Sequence, residues 1–180
     1  MALTSTIHRF QIEVSDVDRG VYESVDIRVA QHPSESVPYL LTRVLAYVLE
    51  LRLDLTFGRG LSDPDEPALS APNDRGGLAL WIEIGSPSAP RMHKVAKQAD
   101  EVRIYTHKDL DLVLAALSGN EVHRAEEIEV VAIPQGLLEP LGERLGRKNS
   151  WELLRTEDTL YLTIDGETLQ GRLQMRKLDS

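Results

Sequence analysis

The sequence predicts a mixed α+β roll, and three observations carry that expectation. Near the amino terminus, two stretches alternate apolar and polar residues on either side of a turn cluster, the pattern of a β-hairpin. Further on, three apolar runs at residues 78–84, 101–107 and 128–133 are separated by helical patterns, which suits a mixed sheet built by right-handed crossovers. Between these blocks stands an amphipathic helix, and short strands return at the end.

The hairpin strands are residues 7–14 (IHRFQIEV) and 21–31 (VYESVDIRVAQ), joined by the turn cluster at 16–20. His32-Pro33-Ser34 breaks the chain, and Ser34 or Ser36 supplies a helix cap. Val37, Leu40, Leu41, Val44, Leu45, Val48 and Leu51 then recur at spacings of three and four, predicting a helix to about Leu53. Residues 55–61 (LTFGRGL) read as a turn. Gly58 and Gly60 bracket Arg59, yet no Gly-Lys-Ser/Thr follows and no helix opens, so the phosphate-loop motif fails. An acidic, proline-punctuated segment (62–69) and a polar loop (70–77) lead to the first apolar run.

That run, LALWIEI, is the expected central strand. Alternation places Leu80, Ile82 and Ile84 on one face and Trp81, Glu83 and Gly85 on the other. A Ser/Pro loop then leads into a basic helix bearing Arg91, Lys94 and Lys97. The second run should lie parallel to the first. A short helix at 109–117, with Asp109 and Asp111 near its positive end, precedes the third run. Residues 135–146 read as a helix broken at Pro140. Strands at 151–155, 160–164 and 168–175 close the chain, with a turn at Asp165-Gly166.

The 180 residues suit one domain spanning 1–180. A chain of this size buries roughly 70% of its unfolded surface, so neither disulfide nor metal is needed for folding. The lack of cysteine fits a reducing compartment. The amino-terminal stretch has no basic region followed by a long apolar run, so no signal peptide is read. Residues 37–55 are interrupted by Arg43, Glu50, Arg52 and Asp54, which rules out a membrane span there. The expectation is a cytoplasmic protein with no membrane partner. A net charge of −9 and an isoelectric point near 5.0 count against a dedicated nucleic-acid binder. They leave room for a local site.

A carboxylate in the middle of so apolar a strand is costly unless its charge is used. Glu83 could serve a site, or pair with an arginine for structural reasons. Asp65 after Pro64, then Glu83 in a central strand, then a lysine nearby, resembles the PD-(D/E)XK nuclease signature. There, carboxylates on neighbouring strands hold Mg²⁺, the metal activates water, and a lysine positions that water or stabilises the developing anion. The literal motif fails at Gly85, where the lysine is expected. Lys94 or Lys97 from the next helix could supply it, or both could simply be solvated. Trp81 could stack a base or pack in the core. The five histidines show no zinc spacing, and Ser86 and Ser88 lack a nucleophile elbow.

The runs TFGRGLSDPDEPAL and LWIEIGSPSAPRMHKVAKQADEVRIYTH resemble the YaeQ family of bacterial proteins, whose pattern includes an acidic D-E-P and W-I-E-hydrophobic-G-x-P. The order of the remaining elements agrees along essentially the whole chain. This resemblance implies an α/β roll that is a variant of the restriction-endonuclease-like PD-(D/E)XK fold, and a role linked to transcription elongation. By position it implies metal ligands at Asp65 or Glu66 and at Glu83, with Lys94 or Lys97 as the basic residue. A longer loop at 70–77 leaves the register of the first acid open. Two functions follow as expectations: a Mg²⁺-dependent nuclease, or a non-cutting domain that binds nucleic acid or a protein partner. A small interaction protein with no nucleic-acid role is the third.

Overall fold

Residues 4–179 are described by the computed structural model; the first three residues of the amino-terminal stretch read above lie outside it, as does Ser180. Strands β1 (Thr6–Asp16) and β2 (Val21–Gln31) form the expected hairpin, in antiparallel register from Thr6↔Gln31 to Asp16↔Val21. Their inward residues Phe10, Ile12, Val14, Val25 and Val29 are buried, as the alternation requires.

Helix α1 (Val37–Leu49) is capped by Ser36, whose Oγ accepts the Tyr39 N–H at 3.3 Å. It is buried almost all round because it runs between two sheets. The helix stops four residues short of the expected end. Arg19 donates to the carbonyls of Leu49 and Leu51, both at 2.9 Å, which satisfies the helix end, and Asp54 turns the chain in the left-handed region at φ 59°.

The turn expected at 55–61 contains a two-residue strand, β3 (Thr56–Phe57), followed by a 3-10 turn (Gly60–Ser62). The polar loop expected at 70–77 begins as strand β4 (Leu69–Pro72), antiparallel to β5 (Leu78–Ile84). Leu69 and Ala71 face the core, while Ser70 and Pro72 point outward. Helix α2 (Ala89–Val95) and β6 (Ala99–Thr106) come next, then α3 (Leu110–Leu117) and β7 (Glu129–Ala132). Strands β5, β6 and β7 are parallel neighbours, so the three apolar runs form the expected sheet centre.

Helix α4 (Gln135–Glu143) runs through Pro140 without a break. Leu137, Leu138 and Leu141 are buried, and that packing outweighs the one hydrogen bond proline removes. Strands β8 (Lys148–Thr156), β9 (Thr159–Ile164) and β10 (Glu167–Arg172) return to the first sheet, with β8 parallel to β1. The single final strand expected from sequence is split at Leu173. β10 pairs with β9, and β11 (Gln174–Lys177) crosses to pair with β7 in the other sheet.

The sheet orders are β10-β9-β8-β1-β2 and β11-β7-β6-β5-β4-β3. One core fills the space between the sheets around α1. A second lies on the far face of the second sheet, under α2 and α3. No helix among the described residues is long and apolar enough to cross a membrane.

Candidate functional site

Strand β5 separates its side chains as alternation demands. Leu80, Ile82 and Ile84 enter the core around α1, while Trp81 packs under α2 and α3, with Glu83 on its face. At Gly85 the chain turns with φ +92°, a conformation that a lysine there would adopt only under strain. Its N–H still donates to the Tyr105 carbonyl at 2.8 Å. The loop ends at Ser88, which caps α2 by accepting the Arg91 N–H at 3.3 Å.

This cap sets Arg91 in the first turn of α2, directly over Glu83. Arg91 Nε donates to Glu83 Oε1 at 3.0 Å, and its Nη2 stands 2.8 Å from the same oxygen. Trp81 Nε1 donates to that oxygen as well, at 2.7 Å. Arg91 also reaches the Glu66 carbonyl at 3.2 Å and the Pro64 carbonyl, fastening the acidic loop to the strand. Glu83 is only 7% exposed. Its charge is therefore met by an arginine and an indole, charge-assisted contacts that offset its desolvation.

The acidic segment is internally paired too. Glu66 accepts the Arg59 backbone N–H at 3.1 Å and its guanidinium at 2.9 Å. The backbone contact, then the side-chain one, holds the Glu66 carboxyl below the usual range. Asp63 lies 3.6 Å from the same guanidinium. Asp63, Glu66 and Glu83 line one cavity of about 230 Å³, together with Tyr39 and Arg91.

Of the residues singled out by sequence, Glu83 and Glu66 come together there. Asp65 is exposed and does not line the cavity; its neighbour Asp63 does. Lys94 and Lys97 are exposed, and neither borders the cavities at Glu83. α2 ends at Val95, which leaves Lys97 beside a separate cleft at the starts of β5 and β6. The basic group at Glu83 is Arg91, one helical turn closer to the strand end than Lys94. Its signal was its place three residues after the Ser88 cap.

Magnesium does not fit this arrangement. Glu66 is engaged by Arg59 through both oxygens, and Glu83 by Arg91 and Trp81 through Oε1, which leaves one oxygen between the two acids. Among the described residues no three His, Asp or Glu side chains stand together as metal ligands.

A second cavity, of about 410 Å³, shares Tyr39, Glu83 and Arg91 with the first. Its wall includes Glu35, whose carboxylate pairs with Arg43 at 2.8 Å, both side chains being at least 96% buried. Burial pushes the Glu35 carboxyl up despite that partner. The Tyr39 ring meets the His107 ring edge-on at 6.2 Å. Burial, then the Glu35 charge, raises the pKa of the tyrosine hydroxyl; burial, then Lys108, lowers that of His107. None of these residues was legible as a site in sequence, because α1 and the end of β6 converge only through the fold.

The profile of the family described as YaeQ protein matches residues 1–173. The chain belongs to the YaeQ family. YaeQ of Escherichia coli K12 is 38% identical over 107 residues, 59% of either chain, and the Salmonella typhi protein is 37% identical over the same length. The aligned region thus spans about three-fifths of these relatives. Two crystal structures match more fully. YaeQ from Pseudomonas syringae has a TM-score of 0.83 at 33% identity, covering 95% of both chains. YaeQ from Xanthomonas axonopodis pv. citri has a TM-score of 0.85 at 29% identity, covering 97% of this chain and 99% of its own. The mixed architecture of two sheets is thus that of known YaeQ structures.

Proposed function

We propose that this chain is a non-cutting member of the restriction-endonuclease-like class, a binding domain whose site is the cleft around Glu83 and Tyr39. The observation that supports this most is the pairing of Glu83 with Arg91 and Trp81, with Lys94 and Lys97 both away from its cavities. A hydrolytic centre of the PD-(D/E)XK kind needs free carboxylate oxygens for a cation. Here Arg59 takes both oxygens of Glu66 and Arg91 one of Glu83, so a single carboxylate oxygen of this pair is left for a cation. The net charge of −9 further favours a cleft ligand over a duplex gripped along its backbone.

Mg²⁺-dependent phosphodiester hydrolysis is the second reading, favoured by the shared cavity of Asp63, Glu66 and Glu83. It requires Arg59 and Arg91 to swing out. Glu83→Gln separates the two readings by the sign of its effect. If Glu83 is an arginine clamp, the variant leaves Arg91 facing a neutral amide and loses about 1.5–3 kcal/mol of stability. If Glu83 is a metal ligand among repelling acids, the metal-free variant is as stable as wild type or more so. Calorimetric titration with Mg²⁺ and Mn²⁺, beside a cleavage assay on single- and double-stranded DNA and RNA, completes the test. We expect no metal-dependent stabilisation at millimolar concentration and no cleavage; metal-dependent cleavage abolished by Glu83→Gln would establish the second reading.

A further inference from the structure

The 410 Å³ cavity opens at the carboxyl ends of the parallel strands β5 and β6, where open α/β sheets commonly receive ligands. Its size falls within the range of small-molecule sites. Four polar groups on its wall lack a hydrogen-bond partner among the described residues. The Tyr39 hydroxyl makes no hydrogen bond. Oxygen Oε2 of Glu83 is equally free, since Trp81 and Arg91 both use Oε1. His107 Nδ1 is buried without a partner. The Lys108 ammonium makes neither an ion pair nor a hydrogen bond. Of these, the buried His107 Nδ1 is unfavourable left so; the other three reach solvent and are open to a ligand, and the four groups come from three separate parts of the chain.

The charges around the cavity are balanced except at one residue. Both carboxylates on its wall are neutralised, Glu35 by Arg43 and Glu83 by Arg91. That leaves Lys108 as the uncompensated charge among the wall residues. An oxyanion near Lys108 would meet it without displacing any ion pair. On the same wall, Glu83 Oε2 can only accept a hydrogen bond, so a ligand reaching it presents an N–H or O–H. The Tyr39 hydroxyl, also on this wall, can donate or accept. Gly85, with no side chain, keeps the rim low against the Tyr39 ring; a Cβ there would touch ring atom Cε2 at 3.7 Å.

We propose that this cavity binds a small ligand carrying a phosphate or carboxylate group, anchored by Lys108, with a hydrogen-bond donor directed at Glu83 and Tyr39. The proposal rests on the cleft being a binding site and names what it takes. Amide NMR of the whole chain tests it, with inorganic phosphate, adenosine 5′-monophosphate and free glutamate each titrated to about 10 mM, a range that detects weak binding. The expected result is perturbation of the Gly85, Ser86, His107 and Lys108 amides by at least one probe. The phosphate and carboxylate arms then say which oxyanion is preferred. Lys108→Met, at an exposed position, should fold normally and weaken that probe about tenfold, one charge-assisted contact's worth. Tyr39→Phe should weaken the adenylate or glutamate several-fold more than inorganic phosphate, which has no second group to read. No perturbation by any probe, or perturbation undiminished in Lys108→Met, overturns the proposal. Metal-dependent cleavage would sink the non-cutting reading instead, so the two failures are distinguishable.

Discussion

Asp18 sits in the turn between β1 and β2 and holds another turn 139 residues further along the chain. Its carboxylate accepts the backbone N–H groups of Glu157 and Asp158, at 2.8 and 2.9 Å. Both of those residues are in the left-handed region, at φ 49° and 59°, as the tight hairpin between β8 and β9 requires. The Asp158 contact above all holds the Asp18 carboxyl below its ordinary range. A depressed folded-state value means the stabilisation is complete above the unfolded value near 3.9 and is lost as pH falls through the folded one. Asp18→Ala should therefore lose about 1–2 kcal/mol at pH 7, with the gap to wild type closing below about pH 4. Urea titrations at pH 7 and pH 3 check this; an equal gap at both would contradict it. Composition at 16–20 announced a turn, but a partner 139 residues away has no local signature. The same limit hid the buried Glu50, which accepts the Tyr105 hydroxyl at 2.7 Å and the Arg103 guanidinium. By contrast, Glu83 stood out as a charge within an apolar run. What the run could not say was whether an arginine or a metal would answer that charge.

At the scale of elements, legibility followed periodicity. β1, β2, α1 and the three parallel strands were visible because each buries a repeating apolar face. β4 was not, since only Leu69 and Ala71 face the core and serine and proline fill the rest. The split between β10 and β11 was hidden for another reason. Alternation runs on through residue 173, while the chain changes partner sheets at Leu173, whose N–H donates to the Asp158 carbonyl at 2.8 Å. Gly171 marks where β10 passes closest to α4. A Cβ on Gly171 would stand 2.9 Å from both Leu137 Cβ and Pro134 Cγ, too near for either to accommodate without backbone movement. Gly171→Ala should cost about 1–3 kcal/mol through overpacking, read as a lower urea midpoint at unchanged slope. A midpoint equal to wild type would mean that α4 shifts freely on the sheet. The site suffered from the same blindness at element scale. Lys94 and Lys97 read as one basic helix, but α2 ends at Val95, so Lys97 lies beyond it, and neither lysine borders the cavities at Glu83.

Across the whole molecule, the second sheet belongs to both cores. Leu80, Ile82, Tyr105 and Val131 project into the core around α1, while Trp81, Ile104 and Val130 project from the same strands into the core under α2 and α3. A strand cannot leave one core and stay in the other, so the two should melt together. The closure of the first sheet adds to this coupling, because β8 joins β1 in parallel from Arg9↔Lys148 to Asp16↔Arg155. Most of the chain, though not β9 to β11, lies inside that loop. Nature has placed one reporter in each core: Trp151 in the first, 4% exposed, and Trp81 in the second, 3% exposed. Trp81→Phe leaves fluorescence from Trp151 alone, and Trp151→Phe leaves it from Trp81 alone. Each substitution lowers stability by its own amount, so each variant is compared with itself. In both, the urea transition seen by tryptophan fluorescence should coincide with that seen by far-ultraviolet circular dichroism, as expected for one cooperative unit. If the Trp81 signal is lost at lower urea than the secondary structure, then the α2 and α3 layer unfolds on its own. Arg91 would then leave Glu83 in a partly folded state, and the acids at the cleft would be released without unfolding the sheet that carries them.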